Sequence, residues 1–75
     1  MNYLTLGSII KEKRKSLKMT QQTLADSVNI TRQTVSKIEQ GSLGSGISLL
    51  IFIKILESLN LEFEIKEKTA FNFDL

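Results

Sequence analysis

The chain contains no cysteine, no histidine and no proline among its 75 residues. Without cysteine it has no disulfide framework and no thiolate nucleophile. Without both cysteine and histidine it also lacks the usual ligands of zinc sites and the usual members of nucleophile–base pairs. We therefore expect no cofactor and no enzymatic activity.

Long apolar runs are missing as well. No stretch approaches the roughly 18 consecutive apolar residues that a membrane helix requires. The first residues show no basic segment ahead of an apolar one, so they do not resemble a secretion signal. These observations predict a cytoplasmic chain with no membrane partner.

The chain is too short to build two hydrophobic cores. Chains of 75 residues bury one modest core and often complete their burial by assembling with a second copy. No linker, repeat or low-complexity tract interrupts the sequence. We expect one domain over residues 1–75 that forms a homodimer.

The net charge of +2 is small but unevenly distributed. Residues 1–46 hold seven basic and three acidic side chains, a net charge of +4. Residues 47–75 hold three basic and five acidic side chains, a net charge of −2. A basic half is typical of a surface that attracts phosphate, although a solvated surface without a ligand gives the same composition.

Residues 20–41 combine two short helical patterns with a tight turn. Thr20 and Thr31 stand where a side-chain oxygen can cap each helix. Asn29 lies in the turn between them, where Asn tolerates a left-handed backbone better than most residues. Apolar side chains at helical spacing can meet in one core, and these are Leu24, Ala25, Val28, Ile30, Val35 and Ile38. This combination is typical of a helix-turn-helix.

Apolar periodicity predicts four helices in total, over residues 6–17, 21–28, 32–40 and 49–59. Ser45 or Ser48 is placed to cap the last of them. The predicted fold class is therefore mainly α, with a helical bundle over residues 6–59.

The side chains that the second helix of the motif turns outward suit base recognition. Arg32 and Gln33 stand at its N-terminal end, which enters the major groove, where Arg matches guanine and Gln matches adenine. Ser36 lies one turn further on and can reach a base or a water molecule. Thr34 can meet a thymine methyl, and Lys37 is long enough for a base or a phosphate. A solvated helix surface is the alternative for each residue.

The helix starts also predict contacts with the DNA backbone. Thr20 and Gln21 open the first helix of the motif, and Thr31 opens the second. Backbone N–H groups and the helix dipole favour an anion at such positions. We therefore expect these three residues to bind phosphate.

The motif resembles the Xre/lambda-repressor type of helix-turn-helix domain, with a preceding helix that contains Leu6, Ile9, Ile10 and Leu17. The run SLLIFIKILESLNLEFEI, residues 48–65, resembles the HipB type of antitoxin, in which the last helix leads into a dimerising strand. The resemblance implies a lambda-repressor-like bundle and a HipA-like serine/threonine kinase toxin as partner. Among individual residues it implies a structural ion pair of Arg14 with Glu39, a backbone contact by Gln21, and phosphate nearby for Ser42 and Ser45.

The segment that follows the motif suggests an interface. Residues 49–59 are apolar on more than one face, which is rare for a surface helix of a monomer. After Asn60 the apolar period changes to two, which predicts a strand over residues 61–68 with Leu61, Phe63 and Ile65 on one side. Because a lone strand has an unpaired edge, we expect it to pair with the same strand of a second copy.

The last segment, residues 69–75, alternates Phe71, Phe73 and Leu75 with polar residues. We interpret it as a docking segment for another protein, namely the toxin, because exposed aromatic residues without a partner favour aggregation. The alternative is a frayed terminus.

Taken together, these features predict a nucleoid-associated transcriptional repressor that binds operator DNA with an inverted repeat as a homodimer. The resemblance to HipB further predicts an antitoxin that represses its own operon. Two alternatives stay open, namely a stand-alone phage or plasmid repressor without a toxin, and a protein-interaction module that has lost DNA binding.

Overall fold

The computed structural model describes residues 3–42, 48–62, 64 and 67, and this part of the chain folds into four helices. They are α1 (Tyr3–Ser16), α2 (Gln21–Ser27), α3 (Arg32–Glu39) and α4 (Leu49–Ser58). The predicted number and order of the helices are confirmed. Helix α1 begins three residues before its predicted start, and every helix ends one residue earlier than predicted.

Three helices begin at a hydroxyl residue that caps the backbone. The side-chain oxygens of Thr20 and Thr31 accept hydrogen bonds from the N–H groups of Thr23 and Thr34, at 3.0 and 3.1 Å. Ser48 caps α4 in the same way. Each bond satisfies one of the N–H groups that lack a partner in the first helical turn. Both predicted threonine caps are confirmed, and of the two candidates for α4 Ser48 is the cap, while Ser45 lies outside the described residues.

Two residues after its last residue, each helix is followed by a residue with a left-handed backbone, and these are Lys18, Asn29, Gly41 and Asn60, with φ angles of 58°, 61°, 87° and 59°. The next N–H group reaches back five residues to a carbonyl of the last helical turn, as from Leu61 to Leu56 at 2.8 Å. This geometry stops the helix one residue short of the predicted end. The residues after three of these turns pack against the core, and they are Met19, Ile30 and Leu61.

The four helices share one hydrophobic core. Helix α3 packs against both α1 and α2, and α4 packs against α2. A hydrogen bond of 2.7 Å between the hydroxyls of Ser27 and Ser58 also joins the last turns of α2 and α4. The buried apolar side chains are Ile10, Leu24, Ala25, Val28, Val35, Ile38, Phe52, Ile55, Leu56 and Leu59.

Gly7 allows α1 to lie directly on the end of α3. A Cβ atom at this position would stand 2.6 Å from the carbonyl oxygens of Ile38 and Glu39. Only a residue without a side chain fits so close to another backbone. This contact sets how closely the first helix approaches the helix of the motif that was predicted to read bases.

The predicted C-terminal strand has no counterpart in the described residues 61, 62, 64 and 67, none of which forms a strand. Leu61, one of its three predicted interface residues, packs instead against the core of its own chain. Phe63, Ile65 and the tail with Phe71, Phe73 and Leu75 lie outside the described residues. The strand and its pairing therefore stay predictions.

No helix of the described part is long and apolar enough to cross a membrane.

Candidate nucleic-acid interface

Helix α3 divides its side chains between the core and the surface. Its buried residues are Val35, Ile38 and Glu39. Arg32, Gln33 and Lys37 are exposed, and Ser36 is half-buried. Because a helix has 3.6 residues per turn, these four lie on one side of α3. The structure thus brings together four of the five residues predicted to contact bases, and we call this surface the α3 face.

Thr34, the fifth, lies at the edge of the α3 face, about 60° around the helix from Lys37, and takes part in the helix cap. Its N–H group donates to the Thr31 hydroxyl at 3.1 Å, and the two hydroxyl oxygens are 2.9 Å apart. Thr34 is also half-buried. These bonds engage the hydroxyl and not the methyl group of Thr34, through which the contact with thymine was predicted, so that contact stays a prediction.

Gln40 extends the α3 face by one residue that sequence reasoning did not select. It is the C-cap of α3, and its amide nitrogen donates to the Ser36 hydroxyl oxygen at 2.9 Å. The Ser36 hydroxyl keeps its own proton for another acceptor. The spacing of four residues between these two polar side chains was the available signal, since such pairs meet on a helix surface.

The α3 face carries positive charge only. Arg32 and Lys37 supply it, while Glu39, the acidic residue of this helix, is buried and paired with Arg14. Guanidinium, ammonium and amide groups donate hydrogen bonds, and base edges and phosphates provide matching acceptors. Among the described residues no group of acidic side chains is placed to hold a metal ion.

The two threonine caps leave one proton free at each helix start. In α2 the Thr20 oxygen accepts from the Thr23 N–H group, and the hydroxyls of Thr20 and Thr23 are 2.9 Å apart. Thr31 forms the same arrangement with Thr34. Each hydroxyl pair uses one of its two protons internally, so the other remains available for a phosphate oxygen.

Gln21, the third residue predicted to bind phosphate, is half-buried and points partly inward. Its amide nitrogen donates to Glu39 Oε1 at 3.0 Å. Arg14 donates to the same carboxylate from Nε at 2.6 Å and from Nη2 at 3.1 Å. The ion pair implied by the resemblance is therefore present, and it is buried, with side-chain exposures of 9% for Arg14 and 3% for Glu39. Sequence reasoning missed the bond from Gln21, because it joins residues 18 positions apart.

The loop after α3 is described only in part. Ser42 is exposed at its start, and its N–H group donates to the Lys37 carbonyl at 2.8 Å. This bond places the Ser42 backbone beside the last turn of α3. Ser45 lies outside the described residues.

Comparison with known proteins gives relatives of the same architecture. A model of the helix-turn-helix family matches residues 10–66. An uncharacterized HTH-type transcriptional regulator of Methanothermobacter thermautotrophicus is 38% identical over 57 residues, which cover 76% of this chain and 80% of that protein.

Two solved structures of similar size resemble the fold. The restriction-modification controller protein C.AhdI from Aeromonas hydrophila has a TM-score of 0.71 and 27% identity, over 80% of this chain and 88% of its own. A chain of the HipA-HipB-O2-O3 complex has a TM-score of 0.73 and 28% identity, over 92% of this chain and 94% of its own.

The residues matched by the family model contain the turn at Asn29, both threonine caps and the whole α3 face. They also contain the buried pair of Arg14 and Glu39. The chain belongs to the helix-turn-helix family.

Proposed function

We propose that this protein is a sequence-specific transcriptional repressor that binds an inverted-repeat operator as a homodimer. The observation that carries the proposal is the α3 face, where Arg32, Gln33, Ser36 and Lys37 stand together on a helix whose only acid is buried. This placement is what a recognition helix needs to enter a major groove. The family match and the name of the archaeal relative support the same function and favour a DNA-binding regulator over an enzyme.

The proposed contacts with DNA fall into two classes, contacts with bases and contacts with phosphates. Arg32 and Gln33, at the N-terminal end of α3, read bases, because their planar groups can form paired hydrogen bonds with guanine and adenine. Ser36 adds a hydroxyl one turn further on, and Lys37 reaches a base or a phosphate. We keep Thr34 as a candidate for a contact between its methyl group and a thymine, since its hydroxyl is engaged in the cap.

Phosphate contacts come from the rim of this surface. The hydroxyl pairs Thr20–Thr23 and Thr31–Thr34 each retain one proton for this purpose, and Gln21 retains one amide N–H group. Ser42 follows α3, and Ser45, which is outside the described residues, is the further phosphate contact that we propose. These contacts fix the register of the protein on the duplex and carry no sequence information.

The homodimer is proposed from the apolar surface of α4. Leu49 and Leu50 are 63% and 61% exposed, and Ile53 is half-buried beside them. An apolar patch on a helix of so small a chain favours burial against a second copy. We propose that Phe63 and Ile65 continue this interface as a paired strand, with Leu61 at its inner end.

The finer proposal is a HipB-like antitoxin that represses its own operon and binds a HipA-like serine/threonine kinase toxin. It is supported by the resemblance of residues 48–65 to HipB and by the likeness to a chain of the HipA-HipB-O2-O3 complex. The tail with Phe71, Phe73 and Leu75 is the proposed contact with the toxin. Such a regulator works in the cytoplasm on the nucleoid, as one domain over residues 1–75.

A regulator without a toxin is the second candidate. The likeness to C.AhdI, a controller protein of a restriction-modification system, supports it with a nearly equal TM-score. Both candidates share every proposed DNA contact. A co-purifying kinase encoded next to the gene would favour the antitoxin, and its absence would favour the second candidate.

Mapping the DNA that the protein protects around its own promoter tests the proposed function. We expect two protected half-sites related by two-fold symmetry, with centres about one or two helical turns apart, on the order of 10 base pairs per turn. Protection of one unpaired site would contradict the dimer. Lack of protection together with no salt-dependent affinity for any duplex would support an interaction module that has lost DNA binding.

A further inference from the structure

Glu39 joins three helices through one buried carboxylate. It is the last residue of α3, and its side chain is only 3% exposed. Arg14 of α1 donates one hydrogen bond to each of its two oxygens. Gln21, the first residue of α2, donates the third hydrogen bond that the carboxylate accepts, at Oε1. Among the described residues no buried side-chain nitrogen or oxygen lacks a hydrogen-bond partner. The cluster is therefore internally satisfied.

The carboxylate fixes which way the Gln21 amide points. An ionised carboxylate only accepts hydrogen bonds, so the Gln21 atom 3.0 Å from Oε1 has to be the nitrogen and not the oxygen. One N–H bond of that nitrogen is used in this contact. The second N–H bond of the half-buried Gln21 side chain takes no part in this contact. Its direction is set by the bond to Glu39.

The same cluster also fixes the backbone from which Gln21 projects. Arg14 Nη1 donates to the carbonyl of Met19 at 2.8 Å, and Met19 immediately precedes the cap residue of α2. The backbone N–H group of Met19 in turn donates to the Arg14 carbonyl at 3.1 Å. One guanidinium therefore holds both the start of α2 and the carboxylate that orients its first side chain.

We propose that Glu39 is a positioning residue for DNA binding, which aims the free N–H group of Gln21 at a phosphate oxygen of the operator. The inference rests on the proposed function. Its physical basis is pre-organisation: a glutamine on an open surface loses rotamer freedom when it binds, whereas Gln21 is already held in the free protein. The buried pair of Arg14 and Glu39 then serves DNA binding as well as the fold.

A double-mutant cycle tests this role. The background variant replaces the ion pair by apolar residues of similar volume, Arg14→Met with Glu39→Leu, because such exchanges are often neutral or stabilising. It removes the bond from Arg14 to the Met19 carbonyl together with the carboxylate, so it tests the whole cluster on which the direction of Gln21 depends. Gln21→Ala is then measured in the wild type and in this background by fluorescence anisotropy on operator DNA. We expect about a tenfold loss of affinity in the wild type, the size of one hydrogen bond to a charged group. In the background variant the loss should fall below about twofold.

Gln22→Ala is the matched control for this cycle. Gln22 is the next residue of α2, is exposed, and donates to Asp26 at 2.8 Å instead of to Glu39. Its replacement should change operator affinity by the same factor in both backgrounds. If Gln21→Ala also acts by the same factor in both, or has no effect in the wild type, the positioning role is refuted. A wild-type chain without specific operator binding would instead overturn the proposed function, and this inference with it.

A second measurement uses only the wild-type protein, so it does not depend on whether a variant folds. In the free wild-type protein, NMR relaxation of the side-chain amide groups should show Gln21 ordered on the picosecond to nanosecond timescale. The exposed amide of Gln33 should be mobile and serves as the internal reference. A Gln21 amide as mobile as that of Gln33 would show that Glu39 does not hold it, and would refute the proposal.

Discussion

Gly7→Ala is expected to destabilise the protein although alanine is the better helix former. The new Cβ atom would stand 2.6 Å from the carbonyl oxygens of Ile38 and Glu39, compared with 3.4 Å or more for ordinary contact. Helix α1 would therefore have to move outward by about 0.8 Å, the difference between these two distances. Both obstacles are backbone atoms at the end of α3, so no rotation of a side chain relieves the contact.

The magnitude follows from two opposed effects. Replacing a glycine inside a helix by alanine stabilises it by about 1 kcal/mol. Overpacking at a closely packed site costs about 1 to 3 kcal/mol, and moving α1 also strains the 2.6 Å hydrogen bond between Arg14 and Glu39. We expect the steric effect to exceed the propensity gain, and the free energy of unfolding to fall by up to about 2 kcal/mol.

Urea denaturation followed by circular dichroism measures this change, at one fixed protein concentration because the stability of the proposed dimer would depend on concentration. Ser8→Ala is the control, since Ser8 is the next residue of α1 and is exposed. It should shift the free energy of unfolding by less than about 0.5 kcal/mol. A Gly7→Ala protein at least as stable as the wild type would refute the close approach of α1 and α3.

Three further predictions concern the helix ends and the interfaces. Lys18→Gly should raise the free energy of unfolding by about 0.5 to 1 kcal/mol, because Lys18 holds a left-handed backbone at φ 58°; a loss of stability in the same urea experiment would contradict this. Phe63→Asp should split the proposed dimer and weaken operator binding, and sedimentation of a variant that remains fully dimeric would show that Phe63 lies elsewhere. Deleting residues 71–75 should preserve DNA binding while lowering affinity for the proposed toxin. An unchanged affinity for the toxin in calorimetry would support the alternative interpretation of the tail as a frayed terminus.

The helix-turn-helix could be predicted from sequence because its signals are local. Thr20 and Thr31 cap the helices that directly follow them, and Asn29 turns the backbone at its own position. Such features depend on residues three or four positions apart. The same reasoning missed Lys18, because lysine has no preference for a left-handed backbone.

Features that depend on contacts between two distant segments of the chain could not be predicted from the sequence. In the sequence, Gly7 is simply a residue of low helix propensity inside a predicted helix. Only the close approach of α3 shows why a side chain is excluded at this position. The bond from Gln21 to Glu39 likewise needs the packing of α2 against α3. The ion pair of Arg14 with Glu39 was anticipated through the family resemblance rather than from spacing, since 25 positions separate the two residues.

The central claim is that the α3 face reads DNA sequence, and titrations of operator and scrambled duplexes by fluorescence anisotropy test it most directly. Arg32→Ala and Gln33→Ala should each weaken operator binding by about 1 to 3 kcal/mol. Gln33→Ala should leave the affinity for the scrambled duplex unchanged. Arg32→Ala should lower that affinity only by the effect of removing one positive charge. Lys15→Ala, which removes an exposed charge from α1, should affect both duplexes alike. Operator affinity that is unchanged in both α3 variants would contradict the account.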